Sequence, residues 1–137
     1  MQDTRGTPTP GNLDFPLGLA SAFRESYAPD VVWAAPRRGL IWTGREQVVE
    51  KLLREAAAMQ CLHFTRLRQN VCEARIIDEF VARFTYAGEG IDNLNLAAGA
   101  QVELQRLRIL TLAKNVVTTE TAIETWTCLD VCSRKAR

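Results

Sequence analysis

The hydrophobic and polar positions of this chain follow a helical period first and a strand period afterwards. From Leu13 to Tyr27 apolar residues recur on one helix face, with Asp14 placed to cap the start and Pro16 in the first turn. A second helical pattern starts at Thr43-Gly44-Arg45-Glu46, which has the form of a capping box, and runs to about Met59. Its predicted inward positions are Val48, Val49, Leu52, Leu53 and Ala56. The pattern therefore predicts two main helices.

After Met59 the period shortens to that of a strand. Two short strands are predicted between the helices, Val31 to Ala35 and Leu40 to Trp42. The four long predicted strands are Leu62 to Cys72, Arg75 to Tyr86, Ala100 to Leu112 and Val116 to Thr127. Helices followed by a four-strand meander indicate the α+β class.

Two-residue turns at Glu73-Ala74 and Lys114-Asn115 would fix the register of both hairpins. In the first hairpin the predicted register places His63, Asp78 and Phe84 on the face toward the helices. In the second it pairs Arg106 and Arg108 with Ile123 and Thr121, which we assign to the same face. A register error would turn both arginines to solvent.

Composition and charge limit the class of protein. The chain has 137 residues, 47% of them hydrophobic and 24% charged, and a net charge of +1. This balance gives no electrostatic footprint for nucleic acid or an anionic membrane. No apolar run approaches the roughly 20 residues of a membrane-spanning helix, and the N-terminus lacks a signal-peptide pattern. We expect a cytoplasmic protein with a flexible N-terminal arm over residues 1–12, one domain over 13–132 and a basic tail over 133–137.

The cysteines do not predict a metal site. They are Cys61, Cys72, Cys128 and Cys132, and His63 is the only histidine. Structural zinc sites need four ligands with paired spacings, which this set does not provide. We expect free thiols, no metal and no cofactor.

Three short motifs resemble a known fold family. Tyr27-Ala28-Pro29-Asp30 with Pro36, then Thr43-Gly44-Arg45-Glu46, and Phe84-x-Tyr86-x-Gly88 are similar to the nuclear transport factor 2-like fold, in the SnoaL-like branch beside ketosteroid isomerase. The resemblance covers about Leu13 to Thr127. It implies a curved mixed or antiparallel sheet that forms a cone-shaped barrel covered by two to three helices, with an apolar pocket inside.

The isomerase chemistry does not carry over to this chain. The family's general base, an aspartate before the proline that ends the first strand, corresponds to Ala35. Its second acidic residue would fall near Arg106 or Arg108, and neither can act as a neutral carboxylic acid. We therefore expect no isomerase activity on ketosteroids.

The candidate site consists of polar and aromatic residues assigned to the pocket. His63 and Asp78 are the catalytic candidates, Asp78 as a base if it is desolvated. Either can instead be structural, His63 as a hydrogen-bonded core residue and Asp78 as the partner of an arginine. The ligand-binding candidates are Trp33, Phe84, Tyr86, Arg106 and Arg108. With Asp78 as the only acid inside, we expect an arginine to anchor a carboxylate or enolate.

Two function classes remain open. One is a metal-independent isomerase, cyclase or dehydratase that acts on a small hydrophobic or amphipathic molecule. The other is a non-catalytic ligand-binding or assembly domain with the same pocket. In either case we expect no nucleic acid or membrane partner, and a homodimer formed through the outer sheet face. The apolar residues assigned to that face are Phe64, Val81, Leu107, Ile109, Ala122 and Trp126.

Overall fold

Residues 24–129, which the computed structural model describes, form a six-stranded sheet with one long α-helix against one face. The strands are β1 (Tyr27–Ala35), β2 (Leu40–Thr43), β3 (Met59–Cys72), β4 (Arg75–Tyr86), β5 (Gln101–Ala113) and β6 (Val116–Cys128), and helix α1 is Arg45–Ala57. The strand order is β2-β1-β6-β5-β4-β3. Only β1 and β6 pair in parallel, so the sheet is mixed. We call the face toward α1 the inner face and the other the outer face.

The long strands are predicted well, and the barrel is not. β4 has the predicted bounds, and the other three long strands differ from prediction by at most three residues at either end. The sheet stays open, with β2 and β3 as its edges, so the predicted cone-shaped barrel does not close. The first predicted helix lies largely outside the described residues. Its predicted last residue, Tyr27, belongs to β1 instead.

Helix α1 starts one residue later than the capping box requires. Its N-cap is Gly44, at a φ of 90°, and no side chain caps it. The residue three positions after the cap is therefore Gln47 rather than Glu46. The Gln47 side-chain oxygen accepts a hydrogen bond of 2.9 Å from the Thr43 amide. The predicted helix is confirmed, and the predicted capping box is wrong.

A β-bulge at Leu67 is one of two register shifts in the first hairpin; the other lies between Gln60 and His63. Near the turn the predicted register holds, and Gln69 pairs with Asp78. Beyond the bulge the pairing shifts by one residue, so that His63 faces Arg83 instead of Phe84. Because side chains alternate between faces, this shift turns His63 to the outer face.

A register shift at Thr118 has the same effect on β6. Lys114 and Asn115 form the predicted tight turn, both with positive φ. Thr118 has no pairing partner on β5, and its hydroxyl donates a hydrogen bond of 3.1 Å to the carbonyl of Thr111. Arg106 consequently pairs with Glu124, and not with Ile123 as predicted.

The inner face carries two apolar clusters. One lies beneath α1 and includes a stacked pair, Trp33 and Trp42, with ring centroids 4.3 Å apart. The other packs against the connection over residues 87–100; its largest members are Phe80, Phe84, Tyr86, Ile91 and Leu104. Burying these side chains supplies the main hydrophobic stabilisation of the fold.

Three residues predicted for the outer face lie on the inner one. Phe64 packs on Phe80 at 4.9 Å, Trp126 meets Phe84 edge to face, and Ala122 is fully buried. The bulges explain all three errors, since each reverses the faces of the residues beyond it. No helix within residues 24–129 has the length and apolar character to span a membrane.

Candidate functional site

Eight charged side chains lie on or against the inner face, between and beside the apolar clusters. They are Arg38, Glu55, Arg66, Asp78, Arg106, Arg108, Glu120 and Glu124. All are buried except Arg66, whose side chain is 28% exposed. Charged groups are buried in proteins only when they are paired. The contacts divide these eight into two networks.

The first network joins the helix to the sheet. Arg38, from the 3-10 turn Pro36–Arg38, donates to Glu124 on β6 at 2.8 Å and to Glu55 on α1 at 2.8 Å. Arg106 on β5 contacts the same two carboxylates, Glu124 at 2.7 Å and Glu55 at 3.1 Å. Two guanidiniums and two carboxylates thus form a closed ring, which we call the ring network.

Opposite charges stabilise the ionised forms in this ring. Burial disfavours the charge of Arg106, but Glu55 and Glu124 outweigh it and raise the pKa of the guanidinium above its ordinary value. Burial likewise opposes the charge of Glu124, and the neighbouring Arg106 and Arg38 nonetheless hold its pKa below the ordinary value of 4.5. Both groups are therefore charged at neutral pH.

The second network crosses five strands of the sheet, and we call it the strand network. Tyr27 on β1 donates its hydroxyl to Glu120 on β6 at 2.7 Å. Arg108 on β5 lies 3.7 Å from Glu120 and donates from Nε to Asp78 on β4 at 3.0 Å. The other Asp78 oxygen lies 3.2 Å from the Nε of Arg66 on β3.

Burial also shapes the titration of this network. The pKa of Tyr27 is raised well above 10.0, first by burial and then by the negative charge of Glu120. Burial opposes the charge of Arg108, while Glu120 and Asp78 raise its pKa above the ordinary value. Tyr27 is thus a neutral hydrogen-bond donor and Arg108 a permanent cation.

Aromatic rings enclose the guanidiniums. Arg106 lies over Trp33 with its central carbon 5.8 Å from the ring centroid, and Arg106 and Arg108 both lie 5.9 Å from Phe80. Such cation–π contacts favour a desolvated cation. The indole Nε1 of Trp33 is buried and has no hydrogen-bond partner in the part of the chain that the structure describes. A buried donor of this kind favours an oxygen acceptor beside it.

The predicted site residues divide into three groups. Asp78, Arg106, Arg108 and Trp33 come together on the inner face. Phe84 and Tyr86 are also on this face, but they belong to the second apolar cluster. His63 is exposed and lies on the outer face beside Arg83. Its position on that face separates it from the inner-face residues.

We predicted that an arginine anchors an anionic ligand because Asp78 is the only acid inside, and this premise is wrong. Arg106 and Arg108 do point inward, but Asp78 is not the only acid inside. Glu55, Glu120 and Glu124 were missed, as was Arg38, and together they leave neither arginine in need of an anionic ligand. One signal was available in the sequence: Glu55 continues the apolar helix stripe of Val48 and Leu52 at helical spacing.

The strand network has the groups that proton transfer requires. Two carboxylates flank one guanidinium, and a tyrosine hydroxyl donates to one of them. Carboxylates of this kind can take up and return a proton, and the hydroxyl orients the carboxylate to which it donates. Within residues 24–129 no group of three His, Cys, Asp or Glu side chains is placed to hold a metal ion.

Comparisons by sequence find no relative: no protein-family model and no curated protein matches this chain. Comparison by shape finds many. A SnoaL-like polyketide cyclase from Jannaschia sp. CCS1 matches with a TM-score of 0.66 and 14% identity, over 86% of this chain and 76% of that one.

Two further structures extend the comparison. An NTF2-like protein from Cytophaga hutchinsonii matches with a TM-score of 0.57 and 17% identity, over 77% of this chain and 84% of that one. A steroid delta-isomerase from Pseudomonas aeruginosa matches with a TM-score of 0.55 and 16% identity, over 77% and 67%. At such identities the likeness establishes the fold, which is the nuclear transport factor 2-like α+β fold.

Proposed function

We propose that this protein is a metal-independent acid–base enzyme that abstracts a proton next to a carbonyl group in a small, neutral, amphipathic molecule. The observation that carries the proposal is the strand network, in which Glu120 and Asp78 flank Arg108 inside the protein. Proton abstraction beside a carbonyl is common to isomerase, cyclase and dehydratase chemistry. A cyclase and a steroid isomerase are among the proteins that share the fold.

The two carboxylates are assigned different tasks by their contacts. Asp78 is held by Arg108 at 2.5 Å and lies 3.2 Å from Arg66. Glu120 has one guanidinium at 3.7 Å and a hydrogen bond from the neutral Tyr27. Glu120 is therefore the carboxylate free to exchange a proton with substrate, and Asp78 positions Arg108. This assignment keeps Asp78 in the site and moves the base to a residue that the sequence did not single out.

Charge balance supports a neutral substrate. Four arginines (Arg38, Arg66, Arg106, Arg108) face four carboxylates (Glu55, Asp78, Glu120, Glu124) in the two networks. A charged ligand would add an uncompensated charge to a desolvated interior, which is costly. The unpartnered Trp33 indole suits a carbonyl oxygen of such a ligand, since its N–H can only donate.

Hydrogen exchange tests this function on a panel of simple carbonyl compounds, so the natural substrate need not be identified first. Small neutral ketones and enones are incubated with the protein in D₂O, and deuterium uptake beside the carbonyl is followed by NMR. We expect exchange with the wild type and a loss of about 10²–10⁴-fold in Glu120→Gln. Glu103→Gln removes a carboxylate of the outer face as a control and should exchange like the wild type. An unchanged rate in Glu120→Gln, or no exchange with any compound, would refute the function.

The non-catalytic alternative rests on a different observation. Every charge of the ring network is paired within the protein, and its members are fully or almost fully buried. Such networks can serve structure alone. A protein that binds neutral probes without catalysing exchange would be a ligand-binding domain of this second class.

Two further expectations belong to the same proposal. We propose a cytoplasmic location, where the described free thiols Cys61, Cys72 and Cys128 would stay reduced. A homodimer is proposed through a corrected set of outer-face residues. This apolar band consists of Val32, Ile41, Ile77, Leu107, Ile109 and Ile123.

A further inference from the structure

A cavity on the outer face lies apart from the networks of the inner face. Its volume is about 260 Å³, and it is lined by His63, Thr65, Leu67, Val81 and Arg83. β3 and β4 supply all five residues. The bulge at Leu67 brings His63 and Thr65 to this face and aligns them with Arg83 and Val81.

Three lining side chains have donors available for a ligand. His63 and Thr65 make no side-chain hydrogen bond or ion pair in the described part of the chain. Arg83 uses only its Nε, which donates to Glu103 at 2.9 Å. The two terminal nitrogens of Arg83 are therefore available as a fork, and a hydroxyl and an imidazole stand on the neighbouring strand. Val81 and Leu67 add an apolar surface beside these donors.

We propose that this cavity is a binding site for a small carboxylate with a short apolar body. The planar guanidinium edge matches the two oxygens of a carboxylate, and His63 and Thr65 can donate to the same group. Val81 and Leu67 would pack against the apolar part. The site does not depend on the acid–base chemistry of the inner face and adds a second ligand to the protein.

Two properties of the cavity define the ligand further. Its volume lies below the roughly 300–1,000 Å³ of sites for drug-sized molecules, so the ligand is small. Glu103 and Glu79 stand next to the cavity residues in the ladder, opposite Arg83 and Arg68. These acids oppose a dianion such as phosphate more strongly than a monoanion. A monocarboxylate with a branched aliphatic group fits both properties.

The single histidine makes the test direct. Because His63 is the only histidine among 137 residues, its imidazole proton signals are resolved without assignment of the whole spectrum. Isobutyrate is titrated into the protein at constant pH and ionic strength, and isobutyramide serves as the neutral compound of the same shape. We expect a saturable shift of the His63 signals with isobutyrate, with a Kd of about 1–10 mM, and none with the amide.

Two variants locate the site. Arg83→Gln should weaken isobutyrate binding at least about tenfold, because the bidentate partner is lost. Arg75→Gln removes the same charge from the same strand and the same face, away from the cavity, and should bind like the wild type.

Each other outcome overturns the proposal. Equal responses to acid and amide would mean that no carboxylate is recognised, and unchanged binding in Arg83→Gln would place the ligand elsewhere. The lack of any saturable shift would show that the cavity binds no such acid. His63 signals that change with protein concentration instead would show that a second copy of the chain fills the cavity.

Discussion

Arg106 on β5 and Glu124 on β6 are cross-strand partners, and each also contacts a residue from outside the sheet. Arg106 reaches Glu55 on α1, and Glu124 accepts from Arg38 in the 3-10 turn. One pair within the sheet thereby fixes the positions of the helix and of the turn. Removing the Arg106 guanidinium would leave the buried carboxylates of Glu55 and Glu124 with too few partners.

Arg106→Met should lower the free energy of unfolding by about 3–5 kcal/mol, the usual cost of leaving a buried charge unpaired. Unfolding in urea, followed by tryptophan fluorescence, measures it. Arg83→Met breaks the exposed pair with Glu103 and is the matched control, with an expected loss below about 1 kcal/mol. Equal losses in the two variants would mean that the ring network contributes no more than a surface ion pair.

Most of the fold could be predicted because turns and strands leave local signals. Glu73-Ala74 and Lys114-Asn115 are recognisable turns, and long alternating segments flank them. The bulges at Leu67 and Thr118 leave no comparable signal. Their positions depend on which face of each strand is buried in the complete sheet, and a single strand sequence does not determine this.

The candidate site was harder to predict because its inner face is charged. The two-residue turn at Lys114-Asn115 predicts a register that places Glu120 and Glu124 on the outer face, because the sequence does not reveal the shift at Thr118. In the structure these glutamates are inside, where they neutralise arginines, and Leu67 is half exposed. Two inward arginines and a single acid should have indicated that counter-charges were missing.

Acid should destabilise the protein through Glu124. Its pKa is lower in the folded state than the ordinary 4.5, so the unfolded chain binds the proton more readily. The stability that Glu124 contributes is present above pH 4.5 and is lost as the pH falls through the folded-state value. The urea midpoint of unfolding should decrease as the pH is lowered from neutral to acid, and the decrease should be less steep in Glu124→Gln than in the wild type. Glu50→Gln, an exposed glutamate of α1, should keep the wild-type slope, and an unchanged slope in Glu124→Gln would contradict the prediction.

High pH should also destabilise the protein, in this case through Tyr27. Its pKa is raised above 10.0 in the folded state, so the folded protein retains a proton that the unfolded chain releases. The stability it contributes is present below pH 10.0 and is lost as the pH rises through the folded-state value. In an ultraviolet titration, phenolate from Tyr27 should appear late, together with unfolding.

Tyr27→Phe tests both the titration and the hydrogen bond to Glu120. The late phenolate signal should vanish, and at neutral pH the free energy of unfolding should fall by about 1–3 kcal/mol, because Glu120 loses a buried donor. A late phase that persists in this variant would assign it to another tyrosine.

The proposed homodimer can be tested at a residue that no described contact buries. Ile41 is 71% exposed on β2, at the end of the outer-face row that continues through Ala34, Thr121, Ile109 and Ile77. An isoleucine so exposed at the edge of an apolar band is typical of an interface. If two copies pair through this band, Ile41→Asp buries a carboxylate without a partner and should shift the protein to monomer, as measured by light scattering at micromolar concentration.

Val71→Asp is the matched control, since Val71 is 64% exposed but pairs with the inner-face residue Ile76. Its dimer should persist, whereas a wild type that is already monomeric, or equal dissociation in both variants, would exclude the outer face as the interface.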